Sequence, residues 1–291
     1  MTVLRTALGR RTLIMGVLNV TPDSFSDGGL YADTEAAVRH AHVLAAEGAD
    51  ILDIGGESTR PATFGDRSPL PIEEEKRRIL PVITRLAAEL PHIPLSVDTY
   101  KAEVAAAALD AGASLVNDIS GLTFDAGMAA LVAAHGVPLV LMHLLGAPRA
   151  IPLRPHYDDV VADIRTFFEH QIASAHAAGI PNAQIWLDPG LGFGKTVQHN
   201  LEILRRLPEL KALGYPLVVG ASRKKFLGRV LGTDDPQDRK EGTAAAVALS
   251  IAGGAAVVRV HDVREMTRVA RVSDAIVRGW REGEGRPDGP P

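Results

Sequence analysis

The 291-residue chain contains no cysteine. Disulfides, thiolate metal sites and a cysteine nucleophile are therefore excluded. It also lacks an excess of either charge, with a formal net charge of −4 and a pI near 6.2. That balance argues against wholesale binding to nucleic acid or an anionic membrane. Nothing near the N-terminus resembles a secretory signal, because Arg5, Arg10 and Arg11 interrupt the apolar residues and no small-residue cleavage site follows. The uncharged stretch 242–258 is mostly alanine and glycine and is split by Gly253-Gly254. It reads as a buried helix running into a buried strand, not as a membrane span. The expectation is a cytoplasmic protein. Familiar motifs are missing as well. There is no HExxH, and His40 and His42 lie two apart on a predicted helix, where they do not share a face. The run Gly190-Leu191-Gly192-Phe193-Gly194-Lys195-Thr196 has Pro189 where a phosphate loop needs its first glycine, and Lys195 where a dinucleotide fingerprint needs its third. It reads instead as a tight strand-to-helix turn whose backbone can approach a ligand closely.

What is present is a repeating pattern. Hydrophobic residues make up 46% of the chain, enough for a sizeable core. Strand-like runs occur near 13–19, 50–54, 94–98, 114–118, 137–142, 184–188, 216–220 and 255–260. Helical patterns separate them, at 34–47, 72–90, 101–111, 125–135, 156–178, 197–213, 238–253 and 262–280. Near-continuous apolar strands, each followed by a helix, read as parallel and buried on both faces. Eight such units over this length match a single (β/α)₈ TIM barrel spanning 1–280, with a doubly wound open sheet as the alternative. Residues 281–291 are Gly, Pro and charge, the composition of a disordered tail. Three long loops follow strands and belong to the rim, at 20–33, 59–71 and 143–155.

The strands end in chemistry. Six close on Asn19, Asp53, Asp98, Asn117, His143 and Asp188, and two more on Ser222 with Lys224 and on Arg259 with His261. A single aspartate there could simply cap a helix. Three of them beside Asn117 are poorly explained as structure alone, since ionised groups near a core are costly unless paired or ligand-bound. Arg60, Arg223, Lys224, Arg259 and His261 form a cationic set, and Arg259 and His261 alternate with Val258 and Val260, so they face the same way. The ends of strands seven and eight are frequent phosphate sites in barrels. A phosphate-bearing substrate with a divalent metal follows, and the neutral oxygen of Asn19 suits Mg²⁺ held mainly by substrate phosphates and water.

Several longer motifs resemble one family. They are Met15–Gly29 (MGVLNVTPDSFSDGG), Gly55–Pro61 (GGESTRP), Ser96–Thr99, Asn117–Ile119, Leu141–His143, Asp188–Lys195, Ser222–Lys224 and Arg259–Val263. The chain is similar in these to the dihydropteroate synthases over nearly the whole barrel. The resemblance implies a Mg²⁺-assisted transferase of folate biosynthesis that joins 6-hydroxymethyl-7,8-dihydropterin diphosphate to 4-aminobenzoate. It implies pterin contacts from Asp98, Asn117, Met142, Asp188, Phe193, Gly220 and Lys224. The diphosphate would meet Asn19, Thr59, Arg60, Arg259 and His261, with the metal on Asn19. The 4-aminobenzoate would meet Phe25, Arg60, Pro61 and Lys225. Asp98, Lys224, Arg259 and His261 would carry catalysis, and a homodimer is expected. The chain departs from the family pattern at Ala62, Leu144 and Lys225, so its benzoate contacts are less fixed than its pterin contacts. Alternatives within the fold are a pterin-binding methyltransferase domain and a non-catalytic pterin-binding paralogue.

Overall fold

The computed structural model describes residues 8–21, 29–57, 68–146 and 155–280. Phe25, Thr59, Arg60, Pro61, Ala62 and the 281–291 tail lie outside these.

Eight parallel strands form one sheet: β1 (Leu13–Asn19), β2 (Ile51–Gly55), β3 (Leu95–Asp98), β4 (Leu115–Asp118), β5 (Leu139–Met142), β6 (Ile185–Asp188), β7 (Val218–Val219) and β8 (Val257–Val260). Their spatial order is β6-β5-β4-β3-β2-β1-β8-β7. A parallel bridge between Leu187 and Leu217 brings the two ends together, helped by Leu187 N–H donating to the Pro216 carbonyl at 2.9 Å. The result is a (β/α)₈ barrel.

The helices are α1 (Gly29–Ala46), α2 (Ile72–Glu89), α3 (Ala102–Asp110), α4 (Met128–His135), α5 (Val160–Ala177), α6 (Val197–Arg205), α7 (Leu207–Lys211), α8 (Lys225–Leu231), α9 (Lys240–Ala252) and α10 (Val263–Arg278). Three features differ from the sequence expectation. The predicted helix 197–213 is broken at Arg206, because Pro208 can enter a helix only in its first turn and so starts α7 anew. The predicted strand 216–220 is ladder-paired only at Val218 and Val219. Helix α8 was not expected at all; the basic start of Lys225–Leu231 hides its apolar face of Phe226 and Leu227.

Strand alternation divides the molecule into two cores. One face of the strands (Ile14, Leu52, Val97, Val116, Leu141, Leu187, Val258) packs with the helices into a large outer layer. The other face (Leu13, Met15, Ile51, Leu115, Val140, Trp186, Val257) forms a separate cluster that fills the barrel interior. Two residues beyond that inner layer, still on the inward face, stand Asp53 after Ile51, Asn117 after Leu115, Met142 after Val140, Asp188 after Trp186 and Arg259 after Val257. An apolar floor thus rises directly into a polar mouth.

Candidate active site

Asp98, Asn117, Met142, Asp188, Phe193, Gly220, Lys224 and Arg259 line one pocket at this mouth, together with Ile119, Gly190 and Leu191. All seven residues expected to meet a pterin are among them.

The charges in the pocket are tied to one another. Arg259 reaches across the barrel from β8, donating from Nε to Asp53 Oδ2 at 2.5 Å and from Nη2 to Asp98 Oδ2 at 2.6 Å. Burial acts to lower the Arg259 pKa, but Asp53 and Asp98 hold it above the usual range. Asp53 is fully buried and also accepts from Asn117 Nδ2 at 3.1 Å, while its Oδ1 has no hydrogen-bond partner among the described residues. Burial pushes the Asp98 carboxyl up to about 7, against the pull of Arg259 and with reinforcement from Asp53. Asp188 is also raised by burial, offset by a 2.7 Å hydrogen bond from Gly190 N–H and by the nearby cations Lys224, Arg259 and Lys195. Lys224 places its ammonium 4.1 Å from the centre of the Phe193 ring, an amino–aromatic contact that holds one wall of the pocket.

His261 and Ser222 form a pair beside this cluster. Ser222 Oγ accepts the His261 backbone N–H at 3.1 Å and lies 3.0 Å from its Nδ1. With the Ser222 hydroxyl donating to an unprotonated Nδ1, Nε2 carries the ring N–H and can donate. The imidazole pKa falls to about 3, through burial first and then Arg259, Arg223 and Lys224. This corrects the cationic set read from the sequence: burial first, and then the surrounding cations, hold His261 neutral. Arg223 leaves the set as well. Its Nε and Nη2 grip Asp262 in a fork at 2.9 and 2.6 Å. Its backbone sits at φ +57°, a left-handed conformation held by Thr243 Oγ1 and by Arg239.

Asn19 ends β1 in register with Gly55 and is partly exposed. It does not line the pocket, and neither does His261. Lys225 is exposed at the start of α8 and lies outside the lining too. Among the described residues no cluster of three or more His, Asp or Glu could cage a metal.

The comparisons with known proteins agree on one family. The pterin binding enzyme model matches residues 15–261. A curated dihydropteroate synthase from Synechocystis is 47% identical over 273 residues, covering 94% of this chain and 92% of that one.

The chain belongs to the dihydropteroate synthase family.

Solved structures of the family superpose closely. The Clostridium difficile dihydropteroate synthase crystallised with pteroic acid has a TM-score of 0.86 and 47% identity, covering 93% of this chain and 98% of its own. The Xanthomonas albilineans dihydropteroate synthase with 4-aminobenzoic acid has a TM-score of 0.85 and 45% identity, covering 95% and 94%.

Sequence reasoning missed several residues that shape this family site. Asp53 was noticed as a strand tip but not as the group joining Arg259 to Asn117. Lys195 stands in the sequence as a departure from the nucleotide-loop patterns and as the end of the Asp188–Lys195 motif, with no sign of its partners. Lys101 was not noticed. Its ammonium lies 2.7 Å from Glu57 Oε2, 2.5 Å from Glu75 Oε2 and 2.7 Å from the Leu70 carbonyl. Glu57 also accepts from Leu70 N–H at 3.1 Å. This near-buried triad pins the far end of the second rim loop. The only sequence signal for it was Glu57 inside a Gly-Gly-Glu motif, which says nothing about its partners.

Proposed function

We propose that the pocket binds the pterin of a pterin diphosphate and that the rim beside β1 and β8 binds its diphosphate. The chain carries out the dihydropteroate synthase reaction, in which 6-hydroxymethyl-7,8-dihydropterin diphosphate and 4-aminobenzoate give 7,8-dihydropteroate and pyrophosphate. The observation that carries the residue assignment is the convergence of Asp98, Asn117, Asp188 and Lys224 on one cavity with apolar walls from Met142 and Phe193.

The chemistry follows from donors and acceptors. A pterin presents adjacent ring-amide and amine N–H groups, and Asp188 accepts both in a fork. Asn117 and Asp98 complete the ring edge. Lys224 donates to the pterin carbonyl while bracing Phe193. The C–O bond to the diphosphate breaks with its electrons passing to pyrophosphate. Arg259 and the Nε2–H of His261 donate to the charge that builds there, an interaction stronger in the transition state than before it. Diphosphate would also compete with Asp53 and Asp98 for Arg259, freeing Asp98 to face the developing cation. The neutral aniline nitrogen of 4-aminobenzoate then forms the new C–N bond and releases its proton. No general base is required to start this attack. Thr59 and Arg60 are assigned to the diphosphate, and Phe25, Arg60, Pro61 and Lys225 to the benzoate.

Asn19 offers Mg²⁺ a single neutral oxygen, and among the described residues no carboxylate cage surrounds it, so the ion would arrive on the substrate phosphates and be steadied by Asn19. When bound, it neutralises the leaving group.

The exposed apolar side chains Leu249 on α9, Val272 and Ile276 on α10, and Trp280 just beyond support a homodimer through this face. No helix among the described residues is long and apolar enough to cross a membrane. The proposed substrates are water-soluble, which fits a cytoplasmic enzyme.

The test is direct. The protein is incubated with Mg²⁺, the pterin diphosphate and 4-aminobenzoate, and pyrophosphate release is followed. Turnover that needs both substrates is expected. A folded sample that releases none refutes the reading.

A further inference from the structure

Lys195 is a charged group that the mechanism above does not use. Its ammonium lies 2.9 Å from the Gly190 carbonyl, 3.0 Å from the Phe193 carbonyl, 3.0 Å from His143 Nδ1 and 3.3 Å from the His143 carbonyl. Among the described residues no carboxylate lies within hydrogen-bonding distance of it. Three ammonium protons therefore serve neutral acceptors from two chain segments, the turn after β6 and the end of β5. Burial lowers the Lys195 pKa to about 7, so this arrangement is expensive in desolvation. An apolar side chain would relieve that cost if the turn needed only to pack.

The turn it holds carries pocket groups. Gly190 donates its N–H to Asp188 Oδ1 at 2.7 Å, and its carbonyl accepts both Lys195 and the Phe193 N–H at 3.1 Å. The turn is pressed onto β5 so tightly that a Cβ on Gly190, at φ +67°, would lie 2.0 Å from the His143 carbonyl oxygen. Phe193 then turns its ring to Lys224. Without the ammonium, the carbonyls of Phe193 and His143 would lose its hydrogen bonds and that of Gly190 would keep only the Phe193 N–H.

We propose that Lys195 is a positioning residue for pterin recognition: its ammonium clamps the Gly190–Phe193 turn against the end of β5 and so sets both the Asp188 carboxylate and the Phe193 wall. The proposal rests on the pterin reading given above. His143 is its partner, a neutral imidazole whose pKa is lowered to about 2 by burial and by Lys195, and whose Nδ1 can therefore accept. Among the described residues of the benzoate and diphosphate sets (Asn19, Lys225, Arg259 and His261), none is a hydrogen-bond partner of Lys195, so the clamp is assigned to the pterin side.

The experiment compares K195M and K195Q with the unaltered enzyme. Steady-state kinetics are run for each substrate with the other saturating, and pterin affinity is measured by calorimetry. K195M should raise the KM for the pterin diphosphate by on the order of tenfold, the loss expected of a hydrogen-bonded charged group. The KM for 4-aminobenzoate should stay within about twofold, because only the pterin side is disturbed. K195Q keeps two donors and should recover part of the loss. Parallel changes in both KM values, unchanged pterin affinity, or failure of both variants to fold would each make Lys195 a purely structural residue and overturn the proposal. An inactive unaltered enzyme would instead refute the function on which it rests.

Discussion

Replacing Arg259 with methionine should separate what the guanidinium does for the fold from what it does for the chemistry. Arg259 pairs with two carboxylates at 2.5 and 2.6 Å. Asp98 is partly open to solvent, with 15% of its side chain exposed, but Asp53 is at 0%. Once Arg259 is gone, Asp53 keeps a single neutral hydrogen bond, from Asn117, and its Oδ1 already has none. Removing one partner from a buried pair costs about 3–5 kcal/mol, because the other charge is stranded. For a domain of this size each kcal/mol moves the melting temperature by about 2–4 °C, so R259M should melt on the order of 10 °C lower. Adding D53N removes the stranded charge and should restore much of that loss. Activity should not return with it, since the fixed cation on the leaving group remains absent; a deficit of about 10²–10³ in kcat is expected. Thermal and urea melts of the four proteins, with kinetics on each, make the assay. If the stability losses of R259M and D53N simply add to within about 0.5 kcal/mol, the two residues are not coupled and the account of the latch is wrong.

Two further predictions use other parts of the site. Asp98 has its pKa raised to about 7 in the folded chain, so between the ordinary carboxylic range and that value the fold holds a proton the unfolded chain has lost. Its contribution to stability is present at low pH and lost as pH rises toward 7, while kcat/KM for the pterin diphosphate should rise over the same range as the accepting carboxylate forms; a profile unchanged by D98N would contradict this. K101M removes the cation shared by Glu57 and Glu75, leaves the buried Glu75 without its ion-pair partner Lys101, and should cost about 3 kcal/mol and raise the KM for 4-aminobenzoate. Neutralising both carboxylates as well, in E57Q/E75Q/K101M, should recover stability, and a triple variant no more stable than K101M would show that charge is not the cause.

Much of this architecture was legible because period two and period 3.6 are both local signals. Apolar strands such as 137–142 announced burial on both faces, and their polar last residues announced a mouth. Position along a strand also fixed which side chains share the inward face, which is why Asp98, Asn117 and Asp188 could be grouped before any fold was seen. Breaks in local pattern were harder. Pro208 splits a helix that an apolar count alone carries through to 213, and Lys225 masks the start of another.

The identity of partners was not legible, and the reason is physical. Alternation says that Arg259 faces inward but not that it spans 206 positions of sequence to reach Asp53. That pairing exists only because β1 sits between β8 and β2, bringing Arg259 level with Met15 and Asp53 level with Val17. Closure of the barrel also decides that Arg223 is spent on Asp262 and that His261 stays neutral. Residue types therefore give the inventory of charges, and strand order gives their cancellation. In this mouth the cancellation is incomplete. Asp53, Asp98 and Asp188 stand against Arg259 and Lys224, with Lys195 committed to neutral carbonyls. Asp98 and Asp188, which burial has raised toward protonation, are poised to accept from an incoming N–H donor. A heterocycle rich in such donors would satisfy Asp98 and Asp188, while an anion tethered to it would draw on Arg259; a simple anion or a simple cation would not do both.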